Sequence, residues 1–202
     1  MNKPAYEVLT RFDERVLDRM VLAVELVKQR LLRATKALAD GGVPYAVAGG
    51  NAVSAWVAKT DPSAIRNTAD VDILLDRQDF QRAKEILTAA GFVYRHARGI
   101  DMFLDGPDGK FREAVHILFA GEKVYPEDAL PLPSLEESQS DDLYQVVDLA
   151  ALVRMKLIAN RRKDQVHLSD MLDLGMIDES WLSKYPPELA ARLQFLIDTP
   201  NG

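Results

Sequence analysis

The 202-residue sequence contains no cysteine. That absence excludes disulfides, thiol nucleophiles and thiolate metal sites together. No apolar run approaches the roughly eighteen residues of a membrane-crossing helix. The opening residues, Met1-Asn2-Lys3-Pro4, lack the layout of a secretory signal, so the expected location is the cytoplasm and no membrane partner is expected. An excess of basic charge is missing too: 25 Lys and Arg stand against 31 Asp and Glu, a net charge of −6. That balance argues against tight, indiscriminate nucleic-acid binding, while a local basic patch can still grip a phosphate. Neither an internal repeat nor a low-complexity tract is present. With 48% hydrophobic and 28% charged residues, the chain has enough apolar material for one compact core with a helical appendage.

The most informative stretch is Ala48-Gly49-Gly50-Asn51, followed nineteen residues after Asn51 by Asp70-Val71-Asp72 and the apolar Ile73-Leu74-Leu75. Alternate strand residues share a face, so Asp70 and Asp72 point one way while Val71 and Ile73 enter the core. Two carboxylates about 6 Å apart repel by roughly 3 kcal/mol at an effective dielectric near 20. A cation offsets that cost, and oxygen ligands select hard ions, Mg²⁺ or Mn²⁺.

The glycines suit the same task. Residues 45–48 read as a short buried strand and 51–58 as a helix, which puts Gly49 and Gly50 at a strand-to-helix turn. No side chain there blocks backbone N–H groups from a phosphate, and the helix N-terminus adds partial positive charge. Asn51 either caps that helix or contacts a phosphate. Arg66 is either a phosphate contact or a plain loop charge.

The segment from residue 43 to residue 75 resembles the nucleotidyltransferase superfamily typified by DNA polymerase β: an apolar strand, a glycine pair, then Asp-x-Asp. Within it, the lead-in Arg66-Asn67-Thr68-Ala69 is similar to bacterial abortive-infection-type nucleotidyltransferases, which include toxins of toxin–antitoxin pairs. A second match runs from Leu152-Val153-Arg154-Met155-Lys156-Leu157 through Arg161-Arg162-Lys163-Asp164 to His167-Leu168-Ser169-Asp170. The resemblance spans roughly residues 43–175. It implies an α+β polymerase-β-like core with a mixed sheet, in which Asp70 and Asp72 bridge metal. Gly49, Gly50, Asn51, Arg66, Thr68 and Lys156 lie on the nucleotide side. NTP is then the substrate and a hydroxyl on tRNA, a protein or a small molecule the acceptor, with an antitoxin as a further partner.

One residue departs from that pattern. The family's third carboxylate falls on the strand Glu113-Ala114-Val115-His116-Ile117-Leu118-Phe119, at His116. Three readings stay open: a general base, a ligand to a softer ion such as Mn²⁺, or a degraded metal site in a domain that only binds. Glu113 points to the opposite face of a regular strand, leaving Asp101 as the reserve carboxylate. His96 and His167 read as surface or structural residues. Lys156, among apolar neighbours, either snorkels or pairs with an anion. Arg161, Arg162 and Lys163 form part of its patch or a solvated helix end, and Asp164 orients a lysine or caps the next helix.

Around these motifs the periodicity predicts a helix over residues 6–39, ended by Gly41-Gly42-Val43-Pro44. Its apolar face is a packing element or a surface for a partner protein. Strands are expected at 70–75, 93–95, 100–104 and 114–119, with a helix at 77–90 stopped by Gly91. Residues 121–143 read as a linker or surface loop. Helices follow at 145–160, 166–174 and after Pro186-Pro187. The parts are then an N-terminal helical segment (1–42), a nucleotidyltransferase core (43–120), the loop, and a C-terminal helical subdomain (144–202).

Overall fold

A computed structural model describes residues 14–200. Helix α1 (Glu14–Asp40) precedes strand β1 (Ala46–Ala48) and helix α2 (Gly49–Thr60). Strand β2 (Val71–Leu75), helix α3 (Phe80–Ala89) and strands β3 (Val93–Ala97), β4 (Ile100–Leu104) and β5 (Val115–Phe119) follow. Strands β6 (Ser138–Ser140) and β7 (Gln145–Val147) lead to helices α4 (Leu149–Ala159), α5 (Arg162–Asp173) and α6 (Pro187–Asp198). The expected helix over residues 6–13 lies outside the described residues. No described helix is long and apolar enough to cross a membrane.

The seven strands of the described residues join one sheet, in the order β3-β4-β5-β2-β1-β7-β6. The β2–β5 and β1–β7 pairs are parallel and the others antiparallel, the mixed sheet expected from the sequence. Alternation along β2 divides the core between two faces. Val71, Ile73 and Leu75 pack with Leu31, Ala34 and Leu38 of α1 and Ala83 and Leu87 of α3. Leu74 packs on the opposite face with Val53 of α2, Leu152 of α4, Leu168 of α5 and Leu193 of α6. Each fully buried leucine contributes about 1.5–3 kcal/mol. The C-terminal helices are therefore fastened to the strand face that carries Asp72.

Three local expectations are corrected. The stretch read as loop contains β6, and β7 occupies residues 145–147 where helix was expected to begin. Three-residue strands give almost no period-2 signal, and Asp148 alone separates β7 from α4. Helix α5 also starts earlier than its apolar pattern, because its first turn, Arg162-Lys163-Asp164, is wholly charged.

The far half of α1 is unlike the rest. Leu17, Met20, Val21, Leu22, Val24 and Leu26 are exposed, whereas Leu31, Ala34 and Leu38 are buried.

Candidate metal centre

Sheet register assembles the centre. Ala48 on β1 lies opposite Asp72 on β2, and Asp72 lies opposite His116 on β5. One level of three adjacent strands thus carries the glycine turn, a carboxylate and an imidazole. Asp70, two residues before Asp72, shares its face. His116 Nδ1 is 3.4 Å from Asp72 Oδ1 and 3.8 Å from Asp70 Oδ2. One ligand atom from each of the three lies within 4.8 Å of the others, and among the described residues this is the one such group of three. All three side chains are about a fifth exposed, at 20–21%.

The glycine turn touches the acids. A Cβ at Gly49 would sit 1.8 Å from Asp72 Oδ2, and the residue's φ of +62° is itself glycine's region. A Cβ at Gly50 would sit 2.8 Å from Thr68 Oγ1. Helix α2 begins at Gly49 with Ala48 as its N-cap, so Asn51 is not the cap. The Asn51 amide instead donates to the Asp70 carbonyl at 2.8 Å. Thr68 Oγ1 donates to Asp70 Oδ1 at 2.7 Å, and buried Arg30 donates to the Ala69 carbonyl at 3.2 Å. Residues 68–70 are thereby held from both α1 and α2.

Charge at the centre is partly balanced from within. Burial pushes the Asp70 carboxyl up, but the Thr68 hydrogen bond and the Lys163 and His116 charges outweigh it and hold it below its ordinary value. Lys163 Nζ stands 4.0 Å from Asp70 Oδ2. The adjacent Asp72 carboxylate raises the His116 pKa against burial, helped by Asp70 and the Phe111 carbonyl. His116 Nε2 faces that carbonyl at 3.3 Å. A carbonyl only accepts, so Nε2 carries a proton; in the imidazolium Nδ1–H is turned to the Asp72 carboxylate, and in the neutral ring Nδ1 is the atom free to bind an ion or accept a proton. This is the arrangement of a ligating or proton-accepting histidine. Two carboxylates with one nitrogen suit a divalent ion, so the residues present fit the metal that the sequence implied.

Asp101 does not join them. It pairs with Ile117 rather than His116, which aims it at the other face, where it accepts from Tyr94 Oη at 2.7 Å and lies 2.8 Å from His96 Nδ1. Glu113 pairs with Lys110 and Arg112 in the turn before β5. Arg66 makes a two-pronged pair with Asp170 of α5, with Nη2 to Oδ1 at 2.9 Å. Lys156 is buried, its Nζ 2.9 Å from Asp164 Oδ1. Arg161 Nε donates to the other Asp164 oxygen at 2.6 Å. His167 packs nearby, its Nδ1 buried and without a hydrogen-bond partner among the described residues.

A cavity of about 210 Å³ is bordered by Asn51 and Thr68, by Val27 and Leu31 of α1, and by Ile65. Another, of about 640 Å³, lies at the far end of β1 around Tyr45, Ser138 and Asp142. Neither is lined by Asp70, Asp72 or His116.

Sequence reasoning missed Arg30, which lies thirty-nine residues from its Ala69 partner. An arginine next to the apolar Leu31 was the one local hint, and it does not name the partner. It also left open that Lys163 stands beside Asp70.

The family described as uncharacterised nucleotidyltransferase matches residues 1–124. No curated protein matches the chain. Among solved structures, an antigenic nucleotidyltransferase-like protein from Paracoccidioides brasiliensis is similar at 17% identity and a TM-score of 0.59, covering 88% of this chain and 89% of that one. The antibiotic-resistance factor ANT(2″)-Ia matches at 11% identity and a TM-score of 0.51, covering 89% of this chain and 92% of its own. JHP933 from Helicobacter pylori matches at 15% identity and a TM-score of 0.50, covering 90% and 76%. At these identities the likeness shows a shared fold.

Proposed function

The chain belongs to this nucleotidyltransferase family, and from that premise we propose that it transfers NMP from an NTP to a hydroxyl acceptor, with pyrophosphate as the leaving group. The acceptor is a tRNA end, a protein or a small molecule. Asp70 and Asp72 hold Mg²⁺ or Mn²⁺, and the Gly49–Gly50 turn receives the triphosphate. The observation that carries this reading is the contact between the bare Gly49 backbone and the Asp72 carboxylate. It brings phosphate-binding backbone and ion-binding oxygens to one place.

When bound, the ion supplies Lewis-acid polarisation of the phosphoryl oxygens. The chain's own residues do the rest. His116, fixed through Nε2 on the Phe111 carbonyl, accepts the hydroxyl proton at Nδ1. Thr68 and Asn51 keep Asp70 in place, and Arg66 ties the lead-in loop to α5. Residues 43–120 supply the reacting face and the C-terminal helices its cationic wall.

The test is incubation with labelled NTPs, Mg²⁺ or Mn²⁺, and bulk tRNA or lysate, set against the Asp70→Ala/Asp72→Ala variant. Label transfer that disappears in the variant supports the enzyme; equal labelling by both proteins refutes it. A second reading is a nucleotide- or partner-binding module of the same fold without turnover, favoured by an imidazole where the pattern has a carboxylate. Ion-dependent nucleotide binding without transfer, with activity appearing in His116→Asp, supports that module. In either case the exposed Leu17, Met20 and Val21 of α1 suit a protein partner, an antitoxin included.

A further inference from the structure

Helix α1 carries one apolar seam along its length, and the chain itself covers only part of it. Leu31, Ala34 and Leu38 are buried in the core beside β2 and α3. The same alternating three- and four-residue spacing, read back toward the N-terminus, gives Val27, Val24, Met20 and Leu17. Val27 sits at the margin of the core, whereas Val24, Met20 and Leu17 are 44%, 61% and 55% exposed. Met20-Val21-Leu22-Ala23-Val24 is an unbroken apolar run, exposed throughout. A helix so apolar on several sides is normally an enclosed one. Val24 and Val27 also line the 210 Å³ cavity, together with Ile65 and Leu143, two more exposed apolar residues. Seam and cavity thus form one continuous apolar surface.

We propose that this surface is the interface of a two-fold homodimer, in which the α1 helices of two copies pack antiparallel with residue 22 of each at the axis. The inference is independent of the chemistry at Asp70 and Asp72. Symmetry favours a second copy over an unlike protein. Turned end for end, the seam complements itself: Met20 meets Val24 of the second copy, Leu17 meets Val27, and the reverse pairs follow. Charge agrees with that register. Lys28 borders the cavity with 63% of its side chain exposed, and it comes level with residue 14 of the second copy, a glutamate. Direction is fixed by bulk. Because Leu31, Ala34 and Leu38 face the chain's own core, the body of each copy lies on the seam side from residue 31 onward. A parallel mate would drive one body into the other, while a reversed mate carries its body to the opposite end. Leu17, Met20, Val21 and Val24, with Ile65 and Leu143, expose on the order of 600 Å² per copy, close to the roughly 800 Å² per partner of a stable complex. The interface also reaches the site's support, since Thr68, which donates to Asp70, borders the same cavity as Ile65.

Sedimentation velocity of the full chain, from about 1 to about 100 μM, tests this. Wild type is expected at twice its 22.6 kDa. Met20→Glu/Val24→Glu sets like charges face to face at the axis and is expected to sediment as a monomer throughout. Its circular dichroism should match wild type, because both side chains are exposed in the single chain. Met20→Glu/Val24→Lys is expected to dimerise again: antiparallel helices bring Glu against Lys, whereas parallel ones bring Glu against Glu. A monomeric wild type at about 100 μM, or a dimer that persists in the Glu/Glu variant, overturns the interface. A dimeric wild type with a monomeric Glu/Lys variant overturns the antiparallel register. Should wild type be monomeric and the Glu/Glu variant unfold at a lower temperature, residues 1–13 of the same chain are the cover, and the proposal fails.

Discussion

Asp72 occupies the space that a side chain at position 49 would need. Its Oδ2 would lie 1.8 Å from a Cβ on Gly49, closer than any nonbonded contact. Gly49→Ala must therefore displace the carboxylate and also strain a backbone at φ +62°. A cost of about 2–4 kcal/mol is expected in urea unfolding, with loss of ion-dependent nucleotide binding. Gly50→Ala, whose Cβ would meet Thr68 at 2.8 Å, is expected to cost less. A Gly49→Ala protein with wild-type stability would contradict this packing.

His116 gives a pH signature. Its pKa is raised from 6.5, chiefly by Asp72. A group with a raised native pKa stabilises the fold fully below the unfolded pKa, and that contribution is lost as pH rises through the native value. The stability difference between wild type and His116→Gln should be greatest below about pH 6 and shrink on the alkaline side. Unfolding curves collected from about pH 5 to about pH 9 measure it. A difference that grows with pH would refute the pairing.

His167 acts in the opposite direction and in another window. Burial, above all, and then the Lys156 charge lower its pKa from 6.5 to about 4. Between those values the unfolded chain binds a proton that the native one excludes, so stability falls as pH falls. The loss is on the order of 2 kcal/mol once solvent screening of this part-exposed side chain is allowed for. His167→Phe is expected to flatten that slope between pH 6.5 and 4. An unaltered slope would place the acid sensitivity elsewhere.

What the sequence disclosed and what it hid divide along physical lines. Asp70, Asp72 and the glycine turn were legible because strand alternation and a bare strand-to-helix bend are local properties. His116 was legible as the odd member because it is the one polar residue in the apolar strand Val115-His116-Ile117-Leu118-Phe119. Strands β6 and β7 were hidden: each has three residues, and β6, Ser138-Gln139-Ser140, offers no apolar face. Asp101 misled because its strand was right while its register put it on the other face. The destination of Lys156 depended on one left-handed residue, Asn160, which no periodicity reports. Arg30 and Lys163 act across long sequence separations that only the assembled sheet defines.

The most direct test is titration of Mn²⁺ by electron paramagnetic resonance, with and without ATP, for wild type and Asp70→Asn/Asp72→Asn. Ion and nucleotide sharing one site should strengthen each other's binding about tenfold or more in wild type, and the variant should lose both the ion and the coupling. Wild-type protein that leaves Mn²⁺ free at millimolar concentration, or a variant that binds it equally well, would contradict the account.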